Sequence, residues 1–116
     1  MRKLLFLLVL VCSAAVAADI SGEWTFDVVT DAGGGTPSFT FKQDGERLSG
    51  RYKGQFGEAD VTGTVKDNAI EFSFEVSGGG EKLKITYKGT IETALSMKGS
   101  VDFGSFGKGT WTAKKK

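Results

Sequence analysis

AIEFSFEVSGGGEKLKITYKG, residues 69–89, decides the fold. Ile70, Phe72, Phe74 and Val76 alternate with Glu71, Ser73 and Glu75, and beyond the glycines Leu83, Ile85 and Tyr87 alternate with Lys82, Lys84, Thr86 and Lys88. Successive side chains of an extended strand point to opposite faces, so each run presents one apolar and one charged face. Gly78-Gly79-Gly80 interrupts the alternation and turns the chain, which makes the two runs an antiparallel pair. Matching their apolar faces sets Val76 opposite Leu83, Glu75 beside Lys84 and Glu71 beside Lys88. A slip of one residue would turn a whole strand inside out.

Period two continues outward in both directions from Ile20 onward, and no stretch carries a helical stripe. It predicts eight strands, at 20–29, 38–43, 46–53, 58–66, 69–76, 82–91, 95–103 and 108–114, each bounded by a turn signal. Gln43-Asp44-Gly45-Glu46 reads as a two-residue hairpin centred on Asp-Gly, which places Phe41 opposite Leu48 and Phe39 opposite Gly50. Lys66-Asp67-Asn68-Ala69 likewise places Val65 opposite Ile70 and Gly63 opposite Phe72. Pairing Tyr52 with Ala59 brings Arg51 beside Asp60 and Lys53 beside Glu58. These registers leave one conflict, Asp60 facing Glu75, with Arg51 and Lys84 expected to flank the two carboxylates.

Glycine recurs on the apolar face. Gly22-Glu23-Trp24, Gly50-Arg51-Tyr52, Gly63-Thr64-Val65, Gly89-Thr90-Ile91, Gly99-Ser100-Val101 and Gly109-Thr110-Trp111 share one rhythm, and each puts a residue without a side chain on the face that carries Phe39, Phe41, Phe72, Phe74 and Tyr87. A bare position beside a ring lets the ring lie across the gap and lets the sheet curl. Such a sheet buries its apolar face by joining first strand to last, which also removes its edges. The expected fold is all-β, an eight-stranded antiparallel up-and-down barrel. Gly99 is expected beside Trp111, and the first and last triplets are expected as neighbours across the seam.

Ahead of this domain, Arg2 and Lys3 precede the apolar run Leu4–Val11 and the small residues Ala15-Val16-Ala17, the pattern of an export signal over residues 1–18. The alternative is a lipid anchor on Cys12. Residues 19–116 then form a single domain, secreted or periplasmic, with no cysteine and so no disulfide to staple it. Without Arg2 and Lys3 it carries 13 basic and 14 acidic residues, net −1. That balance argues against a nucleic-acid partner or an anionic membrane footprint, and no membrane insertion is expected after signal cleavage.

Gly22-Glu23-Trp24 on the first strand of a small exported meander resembles the Gly-x-Trp opening of the calycins, the lipocalin and avidin group. The resemblance implies a barrel and, within that group, a small ligand. The chain departs from both branches. It is short for a lipocalin, lacks a C-terminal helix and lacks the cysteines of many members. Where avidins follow the opening with an Asn and a Ser for the biotin ureido group, this chain has Phe26 and Thr30, so biotin is not implied.

Catalysis is poorly provided for. With no histidine and no cysteine beyond residue 12, nucleophilic triads, thiolate and imidazole metal sites and imidazole acid–base chemistry drop out, and no cofactor, metal or catalytic residue is expected. Glu58, Asp60, Glu71 and Glu75 fall on the outer face beside basic residues, as a solvated surface. Neither glycine triplet is a phosphate loop, since no helix follows and the lysine of that motif is missing.

The two ends of the barrel differ. Turns at 44–45, 67–68 and 92–94 make one end tight, while Thr30–Pro37, Gly54–Gly57, Ser77–Glu81 and Gly104–Gly107 gather at the other. There the matching loops Gly54-Gln55-Phe56-Gly57 and Gly104-Ser105-Phe106-Gly107 each carry one phenylalanine between glycines. Phe56 and Phe106 read either as plugs folded into the core or as lids on an apolar ligand, and Tyr52 and Tyr87 are the inward polar handles. The partners these readings imply are a small apolar or amphipathic molecule at this end, or a protein bound by the charged face or loop tips of a filled barrel.

Overall fold

The computed structural model describes residues 19–31, 33–78 and 80–116. The export signal and Cys12 lie outside the described residues. Eight long strands follow in chain order: β1 (Gly22–Thr30), β2 (Ser38–Asp44), β3 (Arg47–Gly54), β4 (Gly57–Lys66), β5 (Ala69–Gly78), β6 (Glu81–Thr93), β7 (Ser96–Asp102) and β8 (Lys108–Lys115). Each pairs antiparallel with the next, and β8 closes on β1, so the sheet is an eight-stranded barrel. A ninth, three-residue strand, Gly33–Gly35, folds back on β1 and pairs Val28 with Gly35. Backbone can lie this close because Gly34 has no Cβ, which would strike the Val28 carbonyl.

Alternation puts the predicted rings inside, with Trp24, Phe26, Phe39, Phe72, Tyr87 and Trp111 among the largest buried side chains. Phe26 lies between Trp111 at 4.8 Å and Phe39 at 4.5 Å, and Phe72 stacks on Tyr87 at 4.9 Å. Such ring pairs add about 0.5–1.5 kcal/mol each beyond the burial of their area. Both indoles are satisfied: Trp24 Nε1 donates to the Ile20 carbonyl and Trp111 Nε1 to that of Ser100, each at 2.8 Å. The interior is therefore a filled core.

Most registers are as the faces require. Val65 pairs with Ile70 and Gly63 with Phe72. Tyr52 pairs with Ala59 and Arg51 with Asp60, Val76 with Leu83 and Glu75 with Lys84, and Trp111 with Gly99. A Cβ on Gly63 would stand 2.6 Å from Phe72 Cα, so the bare position is a packing requirement.

Three expectations need correction. The β2–β3 hairpin pairs Asp44 with Arg47 and therefore Phe41 with Gly50 and Gln43 with Leu48, two residues away from an Asp-Gly-centred turn. Its central residues are Gly45 and Glu46. Only Gly45 takes a left-handed φ, of 63°, the arrangement of a turn with glycine in its first central position. The first and last triplets lie on neighbouring strands but at opposite ends of the seam, Trp24 facing Lys115 and Trp111 facing Val28. In an even-stranded meander the first and last strands run antiparallel, so motifs near their starts land far apart.

Asp60 and Glu75 do not pair. The β4–β5 ladder stops at Thr62–Ser73, so Gly57–Val61 and Phe74–Gly78 bond only to β3 and β6. Continuing in register would set the two carboxylates directly opposite, and like charges there are destabilising. The strands part instead. Arg51 takes Asp60 at 2.7 Å and reaches Glu58 at 3.7 Å.

Candidate functional site

The barrel ends differ in how they are sealed. At the tight end Ile20 is fully buried, held by its N–H to Gln43 Oε1 at 2.9 Å and by its carbonyl under Trp24. Here β6 runs on to Thr93 and the turn moves to 94–95, which leaves Leu95 exposed where a strand was expected. Thr93 Oγ1 receives the Leu95 N–H at 3.0 Å and contacts Ser96 Oγ at 2.9 Å, so the side chains hold the turn.

The glycine-rich end is open. A cavity of about 890 Å³ lies there, lined by Val28, Tyr52 and Leu83, which belong to the buried core, and by Phe56, Phe103 and Phe106. The Gly33–Gly35 strand, Pro37, Gly54 and Gln55 line it as well. The size falls within the roughly 300–1,000 Å³ usual for small-molecule sites. Among the described residues no Asp, Glu, Lys or Arg lines it.

Hydrogen bonds fix the described residues of these loops. Gly54 pairs with Gly57, leaving Gln55 and Phe56 as a two-residue turn, and Gly78 pairs with Glu81. The other phenylalanine loop, expected to match Gly54–Gly57, is a 3₁₀ turn over Gly104–Phe106. Asp102 Oδ1 accepts the Gly104 N–H at 2.7 Å and the Gly107 carbonyl accepts the Phe103 N–H at 2.8 Å. The difference settles the two rings differently. Phe56 is half-buried against the core, whereas Phe106 is 71% exposed and Phe103 takes the inner position. The plug reading thus fails for Phe106. Phe103 was missed in sequence, although its parity, two residues after inward Val101, marks it as inward.

Tyr52 lines the cavity and Tyr87 does not. Tyr52 is 2% exposed, stacks on Phe74 at 4.3 Å, and its hydroxyl oxygen accepts the Phe56 N–H at 3.3 Å. Burial pushes the Tyr52 phenol up from its ordinary value, and the Phe56 N–H opposes this. Tyr87 is pushed much further up, first by burial and then by the neighbouring Tyr52. It sits deeper, against Phe72, Phe39 and Phe26. The structure therefore brings Tyr52, Phe56 and Phe106 together at one mouth and leaves Tyr87 in the core.

The acidic pairs are where the alternation puts them, exposed on the outer wall. Among the described residues no three His, Cys, Asp or Glu side chains gather closely enough to hold a metal ion, and no helix is long and apolar enough to cross a membrane.

No family model matches the chain, and no curated protein matches its sequence. Solved structures do match in fold. A redesigned β-barrel, b11L5F_LGL, is 16% identical with a TM-score of 0.69, covering 90% of this chain and 99% of its own. EF1p2_mFAP2b bound to DFHBI is 15% identical with a TM-score of 0.62, covering 90% and 100%. The redesigned β-barrel mFAP1 bound to DFHBI is 15% identical with a TM-score of 0.59, covering 84% and 94%. At these identities the likeness is one of fold: the chain is a closed, all-antiparallel eight-stranded β-barrel whose similar structures are barrels.

Proposed function

We propose that the chain is a secreted or periplasmic, calycin-like, non-enzymatic barrel that binds a small apolar or amphipathic molecule at its glycine-rich mouth. The observation that carries this reading is the uncharged cavity of about 890 Å³ bounded by Phe56, Phe103, Phe106 and Tyr52. Two barrels of similar fold hold the dye DFHBI, which supports a small-molecule role for this architecture. The export and calycin elements rest on Arg2, Lys3 and Leu4–Val11 and on Gly22-Glu23-Trp24.

The filled core favours a second reading, a structural or protein-interaction barrel that presents Phe106 to a protein partner. Native mass spectrometry of the protein purified from its own host separates the two. A retained small molecule supports the first, and a retained polypeptide with no small molecule overturns it. Phe106→Ser refines the result: at 71% exposure it should leave stability within about 0.5 kcal/mol and yet weaken uptake of a neutral fluorescent probe. Unchanged uptake would remove Phe106 from the site.

A further inference from the structure

We propose that the mouth selects an uncharged, flat molecule carrying a hydrogen-bond acceptor oxygen, such as a ketone or ether, and that the Tyr52 hydroxyl donates to it. This rests on the reading of the mouth as a binding site and narrows its ligand.

A phenol both accepts and donates. The Tyr52 oxygen already accepts the Phe56 N–H, but its own proton has no acceptor among the described residues, although the side chain is 2% exposed. A buried donor left unmade costs about 1–3 kcal/mol, so a site that holds one gains by receiving an acceptor. Because burial pushes the phenol up, Tyr52 stays protonated and remains a donor at neutral pH.

The phenol is packed against the bare face of Gly54. A Cβ on Gly54 would stand 2.5 Å from the Tyr52 oxygen and 2.9 Å from Cζ, and Gly54 itself lines the cavity. Gly54 is not among the glycines with a left-handed φ, so the backbone does not demand glycine there. What its bareness provides is room for the phenol itself, which a side chain there would displace.

The remaining chemistry selects against charge and for a flat face. Among the described lining residues there is neither a carboxylate for a cation nor an ammonium or guanidinium for an anion. Phe56, Phe103 and Phe106 make no ring contact with any described aromatic; Phe106, 71% exposed, offers a planar guest an open face above Phe56 and Phe103, whereas the rings beneath are committed to one another.

Two neutral naphthalene dyes test the inference: prodan, which carries a ketone, and N-phenylnaphthylamine, which has no oxygen. In fluorescence titrations the unaltered chain should bind prodan more tightly. Tyr52→Phe should weaken prodan about fivefold to tenfold and leave the amine within about twofold, the change expected for one lost hydrogen bond. Gly54→Ala, which displaces the hydroxyl while keeping it, should act in the same direction and provides the readout if Tyr52→Phe does not fold. If both dyes bind and neither variant alters their ratio, the donor role is overturned and the mouth stands as a site. If neither dye binds the unaltered chain, the binding reading itself falls.

Discussion

Tyr52 and Phe74 stack 4.3 Å apart, 18° from parallel, across a strand that separates them. Tyr52 stands on β3 and Phe74 on β5, and the β4 residue paired with Tyr52 is the small Ala59. The contact spans the place where β4 and β5 have stopped exchanging hydrogen bonds. Side chains thus close from inside a wall whose backbone has opened.

If the stack holds that wall, Phe74→Ala should cost about 3–5 kcal/mol by denaturant unfolding. Its mark should also be local, with amide exchange accelerated first over Gly57–Val61, the segment of β4 without a β5 partner. Uniform acceleration around the barrel would contradict a local role.

If like-charge opposition parts β4 and β5, its removal should rejoin them. Glu75→Thr eliminates the like-charge opposition to Asp60 and places a β-branched residue on the strand. Stability should rise by about 0.2–1 kcal/mol, and exchange at Gly57–Val61 should slow as the ladder extends toward the mouth. Faster exchange there, or a loss of stability, would show that the opening has another origin.

Gly63 is a position where packing leaves no room for a side chain. A Cβ would stand 2.6 Å from Phe72 Cα and strike the Glu71 carbonyl, and both obstacles are backbone, which no rotamer change relieves. Gly63→Val should cost at least the roughly 1–3 kcal/mol of core overpacking. An unchanged thermal midpoint would be incompatible with the Gly63–Phe72 pair.

Alkaline pH should unfold the protein through its two tyrosines. Both phenols are raised by burial above the ordinary value of 10.0, so the folded state holds its protons where the unfolded chain releases them. Their contribution to stability is complete below about pH 10 and declines as pH rises above it. Phenolate absorbance should therefore appear together with the loss of near-ultraviolet circular dichroism. Smooth titration of both tyrosines near pH 10 in a folded protein would refute their burial.

Much of the wall was legible because period-two alternation is a local property. Once Ile70–Val76 and Leu83–Tyr87 each declare an inner face, opposite charges such as Glu75 and Lys84 confirm the register. The β2–β3 hairpin was misread because Asp44-Gly45 and Gly45-Glu46 are both acceptable turn centres, and both send the phenylalanines inward. Parity alone does not distinguish registers two residues apart. The twin phenylalanine loops looked equivalent, yet one ends a continuous ladder and the other follows a strand whose pairing with β6 begins only at Thr86–Asp102.

By itself the sequence determined that the chain is all-β, which residues face inward and that the glycine-rich loops share an end, because alternation and turn chemistry act over a few residues. Only the tertiary structure decided that the core is filled while the mouth is hollow, that Tyr52 reaches the cavity and Tyr87 does not, and that Phe106 stays outside. Those outcomes depend on how far the strands shear and flare when the sheet closes, which brings together residues that no local pattern links.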